Sequence, residues 1–82
     1  MPSVVEALKR ALVSVLLEVA RVYSLSLILN RESADKDVSA SYRKVMLKAH
    51  PDKPGGSATL AKRVTEAHDA WQQGKRHQHR RR

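Results

Sequence analysis

Apolar residues recur every three or four positions through most of this chain, and a few turn-forming residues interrupt the pattern. The sharpest interruption is Pro51, which ends a basic amphipathic run because a proline disfavours the helical conformation in the residue before it. Pro54, Gly55 and Gly56 follow at once and form a strong turn signal. The spacing is helical. We therefore predict an all-α fold, with a long N-terminal helix followed by an antiparallel helical hairpin.

The first stretch, residues 4–29, is predicted to form one long helix. Ser3 is a candidate N-cap, and Glu6 completes a capping box. Glu18 and Arg21 near the middle argue against a transmembrane span. The apolar stripe is expected to face the core of the domain, with pairing to another helix or to a second copy as the alternative. Its members are Val5, Leu8, Leu12, Val15, Val19 and Val22, widened by Val4, Ala11, Leu16 and Tyr23.

The rest of the chain is predicted to form the hairpin and a tail. Residues 30–37 are a polar connection in which Ser33 or Asp35 caps the next helix. The second helix spans residues 38–49, and the third begins after Ser57 and stops at Gly74. The domain limits are accordingly residues 1–29, 30–74 and 75–82. The last of these is a basic tail that we expect to be disordered because it has no apolar residue to bury.

The apolar stripes of the two hairpin helices have matching spacing. Both repeat at four, three and four residues, which indicates two buried faces that pack against each other. They consist of Val38, Tyr42, Val45 and Ala49, with Met46 beside them, and of Leu60, Val64, Ala67 and Trp71. Trp71 is the one large aromatic side chain expected to fill the core.

Composition excludes several classes of chemistry. The chain has no cysteine, which rules out disulfides and thiolate metal sites. His77 and His79 lie in the basic tail, where neighbouring cations repel a metal ion, so we expect no metal and no cofactor. A formal net charge of +8 favours an acidic partner, whether nucleic acid, anionic membrane or an acidic protein surface.

The candidate site is the end of the second helix. His50, Pro51 and Asp52 lie at the predicted tip of the hairpin, beside a basic helix face. A carboxylate on a stiff loop can accept a bidentate hydrogen bond from an arginine of a partner. A Ser-His-Asp catalytic group would need three converging side chains, and the sequence gives no sign of a pocket, so catalysis is the weaker hypothesis.

The residues of this site resemble the J domain of DnaJ-like co-chaperones. In that family a Tyr-Arg-Lys helix runs into an invariant His-Pro-Asp loop, and a third helix follows. The matching residues are Tyr42, Arg43, Lys44, His50, Pro51, Asp52 and Lys53. The third helix and the Gly-Gly-Ser loop look most like the mitochondrial import-motor J proteins, although Pro54 is an insertion relative to them. Ile28 stands where the family has glycine, and Ala61 where many members have phenylalanine.

This resemblance implies a J-domain fold and docking on a DnaK-type chaperone, the seventy-kilodalton heat-shock family, whose ATP hydrolysis it stimulates. Asp52 would accept a chaperone arginine, and His50 and Pro51 would fix the loop. The ATPase active site would belong to the chaperone, so the resemblance implies that this chain is not an enzyme. The docking face would consist of Tyr42, Arg43, Lys44, Lys48 and Lys53. The implied location is intracellular, in the cytoplasm or a mitochondrion. Two alternatives stay open: a small basic nucleic-acid-binding protein, and a degenerate J domain held to a structural partner by its first helix.

Overall fold

Three helices make up the structure, a computed structural model that describes residues 3–80 and the side chains of residues 3–77. They are α1 (Val4–Val22), α2 (Asp35–Ala49) and α3 (Ala58–Arg80). Within residues 3–80 there is no β-strand, so the all-α prediction is confirmed. None of the three helices combines the length and the hydropathy needed to cross a membrane.

The N-terminus of α1 is capped as predicted. The backbone N–H of Glu6 donates a hydrogen bond of 3.0 Å to Oγ of Ser3, which satisfies one of the free donors of the first turn. Ser57 caps α3 in the same way, accepting from the N–H of Leu60 at 3.2 Å. Both helix starts therefore follow directly from a serine placed before an apolar run.

The end of α1 differs from the prediction, because the helix stops at Val22 and not at residue 29. Ser24 adopts a left-handed conformation with φ of 56°. This turns the chain so that the N–H of Leu25 reaches the carbonyl of Ala20 at 2.8 Å, and the N–H of Ser24 reaches that of Arg21 at 3.2 Å. These two bonds are those of a Schellman motif, which usually has glycine at the left-handed position.

All three helices share one core. The helices α1 and α3 are antiparallel. Glu18 near the end of α1 forms an ion pair of 2.7 Å with Arg63 near the start of α3, and Leu8 near the start of α1 lies against Gly74 towards the end of α3. The helices α2 and α3 are also antiparallel, since Asp35 at the start of α2 pairs with Lys75 late in α3, and Ala49 at the end of α2 is bonded to Ser57 just before α3. The buried apolar residues are Leu12, Val13, Leu16, Val19, Ala20, Val38, Val45, Ala49, Ala61, Val64 and Trp71. The first helix is thus part of the same packed unit as the hairpin.

The buried face of α1 is rotated from the predicted stripe. Val4 and Val22 are 75% and 62% exposed, and Ala11 is exposed as well. Val13 and Ala20 are buried in their place because the chain after α1 folds back and covers this side of the helix. The proposed self-association stripe is used inside the molecule: Leu12 and Val19 are buried, and Val5, Leu8 and Val15 pack against the core.

The start of α2 also differs from the prediction. Its N-cap is Ala34, which makes no side-chain cap, while Oγ of Ser33 accepts from the N–H of Asn30. Asp35 instead links the three helices. One carboxylate oxygen lies 2.9 Å from Nζ of Lys9 on α1, and the other lies 3.5 Å from Nζ of Lys75 on α3. The hydrogen bond from Lys9 is the main reason why the pKa of Asp35 lies below its usual value.

Gly74 does not end α3, which continues to Arg80. A Cβ on Gly74 would come 2.7 Å from Cδ1 of Leu8, so the flexible end of that side chain occupies the space over the glycine. One residue later, Nζ of Lys75 lies 4.2 Å from the centre of the Trp71 ring. The tail was predicted to be disordered over residues 75–82. It is helical as far as Arg80, and residues 81–82 lie outside the described part of the chain.

Candidate functional site

The loop between α2 and α3 begins where the sequence predicts. The helix ends at Ala49, and His50 takes φ and ψ of −55° and 134°, the extended conformation that a following proline favours. The N–H of His50 still donates to the carbonyl of Met46 at 3.0 Å. His50 is thus fixed to the end of the helix on one side and to Pro51 on the other.

The loop is closed by its own backbone. The N–H of Lys53 donates to the carbonyl of His50 at 2.9 Å, and the N–H of Gly56 donates to that of Lys53 at 2.9 Å. A third bond, from the N–H of Ser57 to the carbonyl of Ala49 at 2.8 Å, joins the end of α2 to the start of α3. Three hydrogen bonds over so short a connection leave few conformations open to the tip.

Two glycines make this closure sterically feasible. Gly55 has φ of 79°, a left-handed conformation that other residues adopt only with strain. Gly56 has an ordinary φ, but a Cβ there would overlap the carbonyl group of His50. Both glycines were assigned to a turn from the sequence; the close approach of Gly56 to His50 was not.

Tyr23 ties the loop to the first helix. Its hydroxyl donates a hydrogen bond of 2.9 Å to the carbonyl oxygen of Gly55. Because Tyr23 is the C-cap of α1, the position of the loop depends on where that helix ends. Sequence reasoning placed Tyr23 in the apolar stripe and did not identify this contact.

The side chains of the loop have a defined arrangement. The backbone N–H of Asp52 donates to Nδ1 of His50 at 3.1 Å, which leaves the proton of a neutral imidazole on Nε2. The carboxylate of Asp52 lies 3.8 Å from Nδ1, and its side chain is 89% exposed. The imidazole therefore orients the backbone at Asp52, while the carboxylate points to solvent and can accept hydrogen bonds from another molecule.

A shallow groove runs along α2 and ends at this carboxylate. We call it the α2 groove; it is lined by Tyr42, Arg43, Met46, Leu47, His50, Asp52 and Lys53. Leu47 is 64% exposed, so the groove offers an apolar surface between cations. Five of the eight predicted site residues line it. The other three do not line it. Pro51 lies in the loop, and Lys44 and Lys48 are exposed on α2, each directly after a groove residue in the sequence.

The cations of α2 are unpaired in the described part of the chain. Arg43, Lys44 and Lys48 take part in none of the ion pairs that the described residues form. Such a basic surface attracts acidic partners over several ångströms and speeds their association. The apolar contribution of Met46 and Leu47 was not part of the predicted site, although both lie within a helical turn of Arg43.

Tyr42 packs against a side chain of α3. Its ring stacks on that of His68 with centres 3.9 Å apart and planes inclined by 8°, and His68 meets Trp71 edge-on at 6.2 Å. Burial lowers the pKa of His68, and Lys75 acts in the same direction, while nearby Asp69 partly opposes them. The surroundings of His68 therefore disfavour its protonation, and the stack fixes Tyr42 at the rim of the α2 groove.

Among the described residues, no three potential metal-ligating side chains come together. Comparisons with protein-family models, with curated proteins and with solved structures find no match to this chain. The physical site is thus a rigid loop that presents one exposed carboxylate at the end of a basic and partly apolar groove.

Proposed function

We propose that this chain is a J-domain co-chaperone module that docks on a DnaK-type seventy-kilodalton heat-shock chaperone and stimulates its ATP hydrolysis. The observation that carries the proposal is the exposed carboxylate of Asp52, which a closed loop holds at the end of the α2 groove. The His-Pro-Asp motif and the Tyr-Arg-Lys sequence before it supply the resemblance to the family.

Each part of the site has a role in this mechanism. The cations Arg43, Lys44, Lys48 and Lys53 attract an acidic surface of the chaperone ATPase domain. Met46 and Leu47 offer an apolar contact once the surfaces meet. Asp52 then accepts a charge-assisted hydrogen bond from an arginine of the chaperone. The chaperone contains the ATPase active site, so this chain acts as a binding module and not as an enzyme.

The decisive contribution is assigned to Asp52 on energetic grounds. Removal of one partner from a desolvated charge pair costs about 2–5 kcal/mol, whereas a single cation at the rim changes mainly the association rate. Removal of the negative charge of Asp52 should therefore abolish stimulation of the chaperone ATPase. Removal of a single lysine should only weaken that stimulation.

The test is ATP turnover by DnaK-type chaperones from several compartments, measured with wild type and with Asp52→Asn. The matched control is Asp37→Asn, which makes the same charge change in the first turn of α2, at the far end from the loop. Stimulation by wild type and by the control, together with its loss in Asp52→Asn, supports the proposal. Equal stimulation by Asp52→Asn refutes it.

A second candidate function is binding of nucleic acid through the basic surface. The continuation of α3 to Arg80 favours it, because Arg76 and Arg80 then lie on one helix. This function predicts binding that falls steeply with salt and that Asp52→Asn leaves unchanged. A salt titration against duplex and single-stranded nucleic acid separates the two candidates.

A further inference from the structure

The segment that follows α1 has the burial pattern of an extended chain. It contains no helix, and its side chains alternate between half-buried and exposed. Leu25, Leu27 and Leu29 pack against the core, whereas Ser26 and Ile28 face solvent. Ile28 is 96% exposed, which makes it the most exposed of the large apolar side chains in the described part of the chain. We call residues 25–29 the edge segment.

The backbone of the edge segment is largely unpaired. At its start the N–H of Leu25 is bonded to Ala20, and after its end the N–H of Asn30 is bonded to Ser33. Between these points, the N–H groups of residues 26–29 and the carbonyl groups of residues 25–29 form no hydrogen bond with any described residue. An open row of donors and acceptors is a template for another strand.

Arginines flank the edge segment on both sides. One groove beside it is lined in part by Arg10, Leu29 and Arg31, and the other by Arg21 and Leu27. Neither groove is lined by an aspartate or a glutamate. Arg21 and Arg31 are exposed, so a carboxylate of a partner can reach them.

We propose that the edge segment is a docking site for an extended apolar peptide segment with acidic residues at its ends, which adds to the edge as a β-strand. Backbone hydrogen bonds would supply affinity, alternate apolar side chains would cover Ile28, and the terminal carboxylates would meet the arginines. The inference does not rest on chaperone docking, since no residue of the edge segment lines the α2 groove.

Charge argues against a second copy of this chain as the occupant. Pairing of two edge segments would bring the arginines beside one segment, Arg10, Arg21 and Arg31, close to the same arginines of the other copy. Like charges placed opposite each other destabilise such a pair. A partner with acidic ends would be attracted by the same arginines. Such a peptide is therefore the occupant that the charges favour.

The probe is a fluorescein-labelled peptide, Asp-Glu-Val-Thr-Val-Thr-Val-Glu-Asp, whose binding is followed by fluorescence anisotropy. One control peptide has N-methyl groups on alternate backbone nitrogens, which removes hydrogen bonds and keeps the side chains. A second control has glycine and serine in place of the valines and threonines. We expect both controls to bind at least about tenfold more weakly than the probe. Equal binding by either control overturns the proposal.

Variants locate the binding on the chain. Ile28→Ser should lower the affinity for the probe by at least about fivefold, because burial of an isoleucine side chain raises an affinity by about that factor or more. The matched control Val4→Ser removes another exposed apolar side chain outside the edge, and it should bind as wild type does. Circular dichroism checks that both variants fold. Unchanged binding in Ile28→Ser contradicts the proposal.

Two further measurements address the alternatives. Amide NMR signals within residues 26–29 should shift when the probe is added, because one edge of the segment presents the N–H groups of alternate residues and these become bonded. A spectrum in which none of the four signals moves overturns the proposal. Light scattering tests for self-association. A dimer in wild type that is absent in Ile28→Ser would show that the edge pairs with its own copy, which also overturns it.

Discussion

The hydroxyl of Tyr23 donates a 2.9 Å hydrogen bond to the carbonyl oxygen of Gly55, which lies 32 residues later in the chain. This contact connects the C-cap of α1 to the tip of the loop that presents Asp52. The left-handed Ser24 ends the helix at the place where the tyrosine can reach the loop. The geometry of the candidate site therefore depends on all three helices and not on the hairpin alone.

The first prediction concerns this hydrogen bond. Tyr23→Phe keeps the packing of the ring and removes only the donor. We expect the free energy of unfolding to fall by about 0.5–1.5 kcal/mol. Under the proposed function, stimulation of the chaperone ATPase should also fall, by up to about fivefold, because the loop is then less restricted. Urea denaturation followed by Trp71 fluorescence, with a turnover assay, gives both values.

The control for this variant is Tyr42→Phe. Among the described residues, the hydroxyl of Tyr42 takes part in no hydrogen bond, and its ring would still stack on His68. Its free energy of unfolding should stay within a few tenths of a kcal/mol of wild type. A Tyr23→Phe protein as stable as this control would show that the bond to Gly55 does not hold the loop.

The second prediction ranks three glycine-to-alanine changes. Gly55→Ala has open space around the new Cβ and suffers only from the left-handed φ, which costs about 1–2 kcal/mol. Gly56→Ala must displace the backbone of His50, so it should destabilise more and should also impair ATPase stimulation. Gly74→Ala meets the flexible end of Leu8 inside a helix and gains up to about 1 kcal/mol of helix propensity.

Thermal denaturation of the three variants checks this order. Gly74→Ala should be as stable as wild type or more stable, Gly55→Ala less stable, and Gly56→Ala the least stable. A Gly56→Ala protein that matched Gly55→Ala would mean that the loop can move away from His50 at little cost.

Local signals in the sequence were sufficient for much of the fold. The spacing of the apolar residues predicted the three helices, and two serines predicted N-caps. Pro51 predicted where α2 ends. The end of α1 was missed because a left-handed serine replaces the usual glycine at Ser24. Gly74 was misread as a stop because it lies inside α3 with Leu8 of α1 over it, a tertiary contact that the local sequence does not show.

The same limit applies to the candidate site. The chain order placed His50, Pro51 and Asp52 at the hairpin tip, and the structure has them there. The contact of Tyr23 with the loop and the stack beneath Tyr42 join residues that are distant in the sequence. Spacing along one helix contains no information about such contacts.

The third prediction is a pH dependence that arises from His68. Burial lowers its pKa from 6.5, so the unfolded chain takes up a proton first as the pH falls. The stabilising contribution is complete above the unfolded pKa and is lost as the pH falls from there towards the folded pKa. His68→Phe keeps a ring beneath Tyr42 but does not titrate.

Urea denaturation at several pH values between about 7.5 and 5 measures this contribution. Wild type should lose stability across the range more steeply than His68→Phe. His77→Gln is the control, because it removes an exposed histidine outside the stack that makes no hydrogen bond or ion pair with the described residues, and it should leave the steep profile in place. Parallel profiles for wild type and His68→Phe would exclude His68 as the titrating group.

The last prediction concerns Asp35, whose pKa is lowered chiefly by its hydrogen bond to Lys9 and further by Lys75. A lowered pKa means that the carboxylate stabilises the fold above the unfolded pKa near 3.8, and that this contribution is lost as the pH falls through the folded value. Because the side chain is 55% exposed, solvent screens the pairs, and we expect a contribution of at most about 1 kcal/mol.

Asp35→Asn should therefore lower the free energy of unfolding at neutral pH and converge with wild type in acid. Asp37→Asn is the matched control: it makes the same change in the same helical turn, but Asp37 forms no ion pair with the described residues. Added salt should narrow the gap between Asp35→Asn and wild type because it screens the two lysines. A gap that persists in acid and in high salt would mean that the asparagine disturbs the packing of α2 and not an ion pair.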